Sequence, residues 1–421
     1  MPLRVFDPTW LMWFGMALAF AAMIHGASSM LAVRLRMKPH RVATAAAGTP
    51  RAGDAAGASD AAHAARAAAE GTAPVTILKP LCGPEPMLYE CLRSFCDQEY
   101  PAFQIVFGVR DNDDPAVDVV RRLQREFPGL ELALAANAAQ HGTSRKVSNL
   151  INMMPLARHD NLVLADSDIR VGRDYLRRVV APLHDPRVGV VTCAYRGAPQ
   201  PGIWSLLGAL FINEWFLPSV RLAALAGSRA FAFGATIALR RDVLVAIGGL
   251  QAVVNSLADD YRLGELTRRL GLSTVLSDVV VETSVHEASL GDLLRHELRW
   301  LRTIRAVQPV GYSLAFVTFG VPVAAVGSAL TACAKPALVM LGVTLAARLS
   351  LHWVVRRRDS ALSHLWLLPV RDALGLMLWA WSFVTRRVQW RYDRFLVRRD
   401  GSAQSVREDR VPEAYQARTN A

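Results

Sequence analysis

The chain has 421 residues, of which 52% are hydrophobic and only 20% are charged. This balance excludes a single soluble domain with a solvated surface and predicts membrane-spanning segments. The net charge of +12 favours contact with an anionic bilayer over nucleic acid, because arginine clusters lie beside apolar segments at 356–358, 386–387 and 398–399 and no basic face interleaved with aromatic residues is found.

Residues 1–41 are predicted to form a transmembrane anchor. An apolar run from Pro8 to about Val33 is long enough to cross about 30 Å of hydrocarbon. A cleavable signal peptide is the alternative, because residues 27–29 are small. We favour the anchor because the basic residues follow the apolar run instead of preceding it, and they place the next segment in the cytoplasm. These residues are Arg34, Arg36, Lys38 and Arg41.

Residues 42–74 consist mainly of Ala and Gly with scattered charge. Few of these side chains can pack into a core, so the segment is predicted to be a flexible linker.

Residues 75–308 are predicted to form one α/β domain. Short apolar strands alternate with segments of helical spacing, which predicts a doubly wound, largely parallel sheet. Ligands in such sheets bind at the carboxyl ends of the strands. The predicted strands are 75–80, 105–109, 130–135 and 162–165, and the predicted helices are 88–96, 118–127 and 146–153.

Asp166-Ser167-Asp168 directly follows the strand at 162–165. Asp166 and Asp168 are expected to project to the same side, while Ser167 points away. Two carboxylates so placed suit Mg²⁺ or Mn²⁺, which prefer oxygen ligands and would bridge the phosphates of a nucleotide sugar. The triplet alone is a weak signal because such triplets are common in surface turns, but its position at a strand end favours metal binding.

An acidic segment from Asp111 to Asp114 ends another strand. Asp111 is a candidate for binding the base and ribose of a nucleotide, and Asp114 is a candidate for capping the helix that starts near Pro115. Lys79, near the end of the first strand, and Lys146, near the start of a helix, are further candidates for binding the nucleotide sugar.

Asp259 and Asp260 open a predicted helix that runs to Leu270. Ordinary capping by acidic residues is one interpretation. The other is catalytic, because two adjacent carboxylates beside apolar Leu257 are expected to raise one pKa and so give a base for an acceptor hydroxyl. Asp260 is our choice of base, and Asp259 stays open because neighbouring carboxylates share their titration.

An amphipathic helix is predicted over 293–305. Its arginines recur three or four residues apart, so they could meet a leaving diphosphate, with Trp300 as the wall of a sugar or lipid site. Alternatively, the helix lies on anionic lipid with its arginines outward. We favour the diphosphate role for Arg299 and the membrane role for Arg302 and Arg305.

The C-terminal part, 309–390, is predicted to form membrane helices. The segments 310–333 and 336–355 are each long enough to cross a bilayer. A third stretch, 362–384, would place a basic tail outside if it crossed, so we expect it to be re-entrant or interfacial. Residues 391–421 are predicted to be a basic cytoplasmic tail.

Several motifs, each unspecific alone, together resemble the ceramide glucosyltransferase family. They are more similar still to its bacterial branch, the hopanoid-biosynthesis-associated glycosyltransferases, over about residues 1–390. The motifs, in chain order, are Leu78-Lys79-Pro80-Leu81, Asp111-Asn112-Asp113-Asp114-Pro115, Asp166-Ser167-Asp168-Ile169-Arg170-Val171, Gly234, Arg241-Asp242-Val243-Leu244, Asp259-Asp260-Tyr261 and Arg299-Trp300.

The resemblance implies a GT-A fold, a UDP-sugar donor, a divalent metal, inversion at the anomeric carbon and a membrane lipid acceptor. In the hopanoid branch, the implied reaction transfers N-acetylglucosamine, or else glucose, to the terminal hydroxyl of a hopanoid polyol. The implied location is a bacterial inner membrane with the catalytic domain in the cytoplasm.

The resemblance also implies roles for single residues. Asp114, with Asp111 nearby, matches the first family aspartate, Asp166 the second, and Asp260 the third, which is the base. Arg299 and Trp300 match the end of a (Gln/Arg)-x-x-Arg-Trp motif.

Other positions fit the family pattern less closely. The first position of the Arg-Trp motif is His296 here, which departs from the pattern. Asp168 completes a metal-binding pair that the animal enzymes resemble less well. His286 is a further candidate metal ligand, although a lone histidine is more often structural.

Three other functions remain open on the sequence. The chain could be a ceramide glucosyltransferase, or a processive polysaccharide synthase, although about three spans are too few for a translocation channel. The non-enzymatic alternative is a membrane receptor for nucleotide sugars or anionic lipids. The oligomeric state is not indicated by the sequence.

Overall fold

A computed structural model describes residues 8–35, 73–357 and 364–384, together with the backbone of three short strands between 387 and 405. Most of the predicted linker and of the basic tail therefore lies outside the described residues. The strands are β1 Val75–Pro80, β2 Phe103–Val109, β3 Glu131–Ala136, β4 Asn161–Leu164, β5 Ile169–Arg170, β6 Val188–Pro199, β7 Ile237–Arg240, β8 Ser273–Val285, β9 Arg387–Trp390, β10 Asp393–Val397 and β11 Ala403–Ser405.

The helices follow the same chain order, and a π-helix, Ile212–Phe216, joins α6 to α7. The α-helices are α1 Pro8–Arg34, α2 Leu88–Cys96, α3 Ala116–Glu126, α4 Arg145–Met153, α5 Tyr175–Val180, α6 Ile203–Phe211, α7 Leu217–Leu225, α8 Arg241–Ala246, α9 Asp259–Arg269, α10 Leu290–Val307, α11 Pro309–Leu314, α12 Gly320–Leu330, α13 Lys335–Arg356 and α14 Leu367–Trp381.

Within the described residues, eight strands form one mixed sheet in the order β3-β2-β1-β4-β7-β6-β8-β5. The first four neighbours are parallel, as predicted, because α2, α3 and α4 carry the chain back between them. The second half is not uniformly parallel. β7 is antiparallel to both β4 and β6, whereas β6 and β8 pair in parallel over most of their length.

Both faces of the sheet are buried. Successive side chains of a strand point to opposite faces, so Val106 and Phe107 of β2 enter different cores. Helices α2, α3 and α5 cover one face, and α4, α8 and α9 cover the other. This two-sided cover explains why the parallel strands are nearly continuous apolar runs.

Candidate membrane spans lie before, between and after the strands of the sheet in the chain order. By length and composition, three described helical stretches could cross a membrane: Thr9–Arg34, Ile203–Leu225 and Lys335–Arg356. Two of these agree with the predicted anchor and with the predicted segment 336–355. The stretch Ile203–Leu225 was not predicted.

The anchor helix α1 packs closely on α12. A Cβ atom at Gly15 would lie 2.6 Å from the carbonyl oxygen of Gly327, so only glycine permits this approach. Small residues allow such close backbone contact between apolar helices, where packing provides most of the attraction.

The segment 310–333, which the sequence predicts to be long enough to cross a bilayer, is not one straight helix. The segment forms two helical pieces, Pro309–Thr318 and Gly320–Leu330, bent by 75° at Phe319. Pro322 lies in the first turn of α12 and lacks a backbone N–H, which favours a break or kink just before it. Helix α14, in the third apolar stretch, has 15 residues. Its re-entrant or interfacial placement stays a prediction.

Candidate active site

The loop after β4 carries the paired aspartates and is held from three sides. The Asp166 carboxylate lies 2.6 Å from the Lys146 ammonium. The Thr283 hydroxyl of β8 donates to Asp168 Oδ2 at 2.6 Å. The Lys79 ammonium donates to the backbone carbonyl of Asp166. The two carboxylates are therefore held in place before any ligand arrives.

Lys79 lies beneath this loop. Its side chain is fully buried, and Nζ sits 3.8 Å from the centre of the Phe95 ring. Burial lowers the pKa of Lys79 to about 8, against the opposing influence of nearby acidic groups that include Asp168 and Asp166. These contacts give Lys79 a positioning role under Asp166, while its predicted contact with the nucleotide stays a prediction.

Three charged side chains converge on Gly234. A Cβ atom at Gly234 would lie 3.0 Å from both Asp166 Oδ2 and Lys146 Nζ, and 3.5 Å from Asp260 Oδ2. These residues come from the loop after β4, the first turn of α4 and the first turn of α9. The missing side chain at Gly234 thus leaves space between a cation and two carboxylates.

Asp260 is fixed in one orientation by backbone N–H groups. Gly234 N–H donates to Oδ2 at 2.8 Å, and Tyr261 N–H donates to Oδ1 at 2.7 Å. Burial, together with the charge of Asp259, raises the pKa of Asp260 to about 6, despite the opposing effect of Lys146 and these hydrogen bonds. A carboxylate with this pKa is suited to accept a proton near neutral pH.

Asp259 occupies a different place. It is buried, and Oδ2 lies 3.6 Å from Lys146 Nζ. Burial alone would lower the pKa of Lys146, but Asp166, Asp259 and Asp260 raise it above its ordinary value, so the ammonium stays charged.

Helix α10 brings Arg299 and Trp300 to the same region. Burial lowers the pKa of Arg299, whereas Tyr195, Asp166 and Asp168 oppose this shift. Trp300 lies edge-on to Tyr195, with ring centres 6.3 Å apart, and stacks on Phe211 of α6 at 6.2 Å. The predicted Arg-Trp pair therefore lies where the sheet meets the apolar helices.

His296, which departs from the family pattern, has its own partner. Its Nδ1 lies 2.6 Å from Glu287 Oε1, and its ring is edge-on to Trp300. His296 therefore supports the position of Trp300.

The other predicted residues lie at the same sheet edge or beyond it. Asp114 accepts hydrogen bonds from Gly83 N–H at 2.9 Å and from Ala116 N–H at 2.9 Å, which confirms a capping contact at the start of α3. Asp111 is exposed and accepts from Asp113 N–H. His286 is exposed just after β8. Nucleotide binding by Asp111 and Asp114, and metal binding by His286, stay predictions.

Asp166 and Asp168 fit a divalent cation. Among the described residues, no group of three or more His, Cys, Asp and Glu side chains is placed to hold a metal. Mg²⁺, however, is commonly bound through one or two carboxylates together with substrate phosphates. Burial raises the pKa of Asp168, and the negative charge of Asp166 adds to this shift. A cation bound between the two carboxylates would therefore reduce their electrostatic repulsion.

Tyr195 and Thr283 are site residues that the sequence did not reveal. Tyr195 lies on β6 and stacks on Phe216 at 4.4 Å between ring centres. Thr283 lies on β8, 115 positions from its partner Asp168. No local motif marks either residue. Only the pairing of β6 with β8, and of β8 with β5, brings them to the aspartates.

Paired aspartates at the carboxyl end of an α/β sheet, facing an Arg-Trp helix, are typical of glycosyltransferases with a GT-A-type fold. The family described as glycosyl transferase family 21 matches residues 42–403, most of the chain, and the protein belongs to this family.

Two curated relatives are both named ceramide glucosyltransferases. Ceramide glucosyltransferase 3 of Caenorhabditis elegans is 24% identical over 239 residues, covering 56% of this chain and 51% of the relative. Ceramide glucosyltransferase of Komagataella phaffii is 32% identical over 114 residues, covering 26% of this chain and 22% of the relative. The chain thus spans about half the length of these relatives, or less.

Among solved structures, a mannosyltransferase from Pyrobaculum calidifontis in complex with GDP-Man and Mn²⁺ is similar over 86% of this chain and 99% of its own. The TM-score is 0.49 and the sequence identity is 21%.

Proposed function

We propose that this glycosyltransferase moves a sugar from a UDP-sugar to the hydroxyl of a membrane lipid, with inversion at the anomeric carbon. The observation that carries the proposal is the convergence of Asp166, Lys146 and Asp260 on Gly234. The candidate spans before and after this site support a lipid acceptor, as do the relatives named ceramide glucosyltransferases.

Asp260 is the proposed general base. The acceptor oxygen forms a bond to the anomeric carbon, the bond from that carbon to the diphosphate oxygen breaks, and the hydroxyl proton passes to the Asp260 carboxylate. Two backbone N–H groups orient Asp260, whereas Asp259 is turned towards Lys146. This difference favours Asp260 over Asp259 as the base.

Lys146 and Arg299 are proposed to offset the negative charge of the departing UDP. Both are cations in a largely buried setting, where the energy of a charge interaction is greater than in water. Asp166 and Asp168 would hold Mg²⁺ or Mn²⁺, which supplies additional charge compensation on the diphosphate when bound.

The acceptor is proposed to be a hopanoid polyol, and the sugar N-acetylglucosamine, with glucose and ceramide as the competing substrates. The motif resemblance to the hopanoid branch supports this choice. On the same grounds, the protein is placed in a bacterial inner membrane with its sheet domain in the cytoplasm, and the basic residues Arg34, Arg356 and Arg357 at the ends of two candidate spans support that orientation.

The test is UDP release together with mass spectrometry of the lipid product, using full-length protein in detergent. UDP-N-acetylglucosamine and UDP-glucose are each combined with a hopanoid polyol or with ceramide, in Mg²⁺, in Mn²⁺ and in chelator. A glycosylated hopanoid that disappears in chelator and in Asp260→Asn is the expected result. Donor binding without transfer to any acceptor would contradict the proposal and favour the receptor function.

A further inference from the structure

An open groove lies beside the ends of two candidate spans, away from the aspartate cluster. Its floor contains Arg196 of β6 and Glu282 of β8, which are direct partners in the sheet register. The next residues along the two strands, Gly197 and Thr283, belong to the opposite face, and Thr283 is the residue that binds Asp168. We call this cavity the interface groove.

The interface groove is rich in arginine. Among the described side chains that line it, five arginines face three carboxylates. Glu282 binds both Arg170 and Arg196, so one carboxylate serves two cations. The arginines are Arg93, Arg170, Arg173, Arg196 and Arg221, and the carboxylates are Glu90, Asp97 and Glu282.

The arginines on the rim are available to a ligand. The side chains of Arg170 and Arg173 are 51% and 64% exposed. Arg173 lies 3.5 Å from the carboxylates of Asp97 and Glu99, a distance longer than that of a charge-assisted hydrogen bond. A phosphate could therefore compete for Arg173 without removing a buried partner, and it could reach the exposed half of Arg170 while Glu282 stays bound to that side chain.

The groove opens at the expected level of the membrane surface. Val33 and Val355 line it, and each precedes the last residue of a candidate span, Arg34 of α1 and Arg356 of α13. The Arg356 and Arg357 guanidiniums lie 5.1 Å and 5.4 Å from the centre of the Trp353 ring. Aromatic and basic residues at a helix end are typical of a bilayer interface.

The sheet domain is also fixed to the anchor at this place. Arg221 of α7 is buried, and its Nη1 donates to the Val33 carbonyl at 2.9 Å. The groove is therefore bounded by the domain on one side and by two apolar helices on the other. Leu31 and Trp353, each about half-exposed, offer apolar surface for acyl chains.

We propose that the interface groove binds the phosphate of an anionic phospholipid, with its acyl chains along α1 and α13. Guanidinium groups match phosphate oxygens in geometry and charge. Basic side chains at the cytoplasmic leaflet attract anionic lipid in addition. The ligand is distinct from donor and acceptor, and its binding requires no turnover.

The test is native mass spectrometry of lipid retained by full-length protein from nanodiscs of mixed phosphatidylglycerol and phosphatidylcholine. Arg170→Gln combined with Arg173→Gln should lower the retained phosphatidylglycerol, relative to phosphatidylcholine, by about fivefold for each arginine. The matched control is Arg121→Gln with Arg158→Gln, two exposed arginines elsewhere on the domain, and it should retain the wild-type ratio.

A second variant separates a binding role from a structural one. Glu282→Gln removes the carboxylate that Arg170 and Arg196 share, so phosphatidylglycerol retention should rise. Equal retention by wild type and the double arginine variant would overturn the proposal. Displacement of the lipid by millimolar inorganic phosphate would also overturn it, since the groove would then be a site for a soluble anion.

Discussion

Two clusters of buried charge in this protein differ in how completely their carboxylates are paired. The helix cluster lies among the apolar helices, where Arg348 of α13 binds Glu214 of the π-helix and Asp372 of α14. His352 Nδ1 lies 2.6 Å from the second oxygen of Glu214. Both oxygens of each carboxylate are therefore engaged.

The active-site cluster has more carboxylates than cations. Asp166, Asp168, Asp259 and Asp260 lie near Lys146 and Arg299, and the pKa values of Asp168 and Asp260 are raised by burial and by their acidic neighbours. The comparison separates two uses of buried charge. In the helix cluster every carboxylate oxygen is bound by Arg348 or His352, and these contacts join the helices. In the active-site cluster the surplus of negative charge suits the proposed metal and the proposed proton transfer.

The largest expected effect is on turnover. Asp260→Asn should lower kcat about a thousandfold, because an amide cannot take the acceptor proton. Stability should not fall: the folded pKa of about 6 lies above the ordinary value, so ionised Asp260 disfavours the folded state above that pH. Steady-state kinetics and a thermal melt measure both, with Asp242→Asn, an exposed carboxylate of α8, as control. Lost stability with unchanged kcat would show that Asp260 stabilises the fold and does not act as the base.

In the helix cluster, the corresponding change should affect folding. Arg348→Met leaves Glu214 and Asp372 without their shared cation, and breaking such a buried pair costs about 3–5 kcal/mol. A lower melting temperature in detergent checks this result. Arg357→Met is a control at an exposed position near the end of the same helix. An unchanged melting temperature would show that the pairing does not hold the helices.

A pH profile sharpens the contrast within the active site. The base works only when ionised, so activity should fall about tenfold per unit as pH drops below about 6, and it should level off above this value. The measurement is kcat/KM against pH at saturating metal. A profile that stays flat down to pH 4.5 would rule out Asp260 as the titrating base.

The smallest effect is expected at Thr283. Thr283→Val removes the hydroxyl that binds Asp168, which should weaken the apparent metal affinity about tenfold and leave kcat at saturating metal nearly unchanged. Activity titrated with Mn²⁺ reports this change. Thr274→Val, at the other end of β8, is the matched control, and equal shifts in the two variants would point to a general effect on the strand.

The first half of the sheet could be predicted from the sequence. Its strands are short apolar runs ending in polar loops, and α2 is found at Leu88–Cys96 as expected. The aspartates of the site could be proposed for the same reason, since strand ends in a parallel sheet share an edge.

The second half could not be predicted because its partners are distant in sequence. No sequence motif in β6 or β8 indicates that the two strands pair in parallel. The apolar stretch Ile203–Leu225 is interrupted by the polar residues Asn213 and Glu214, which hide it as a candidate span. Glu214 is tolerated there only because Arg348 and His352 reach it from α13. Glu297 of α10 likewise binds Arg371 of α14 at 2.6 Å, a contact invisible to local periodicity.

Gly234 has a consequence for protein engineering. A single added methyl group would sit within 3.5 Å of three charged side chains, at the proposed reaction site. Gly234→Ala would therefore fill this space with one methyl group. The anchor helices and the interface groove would be unaltered. Such a variant would insert into the membrane and keep the surface of the wild-type protein, but it would be inactive because the space for the reactants is filled.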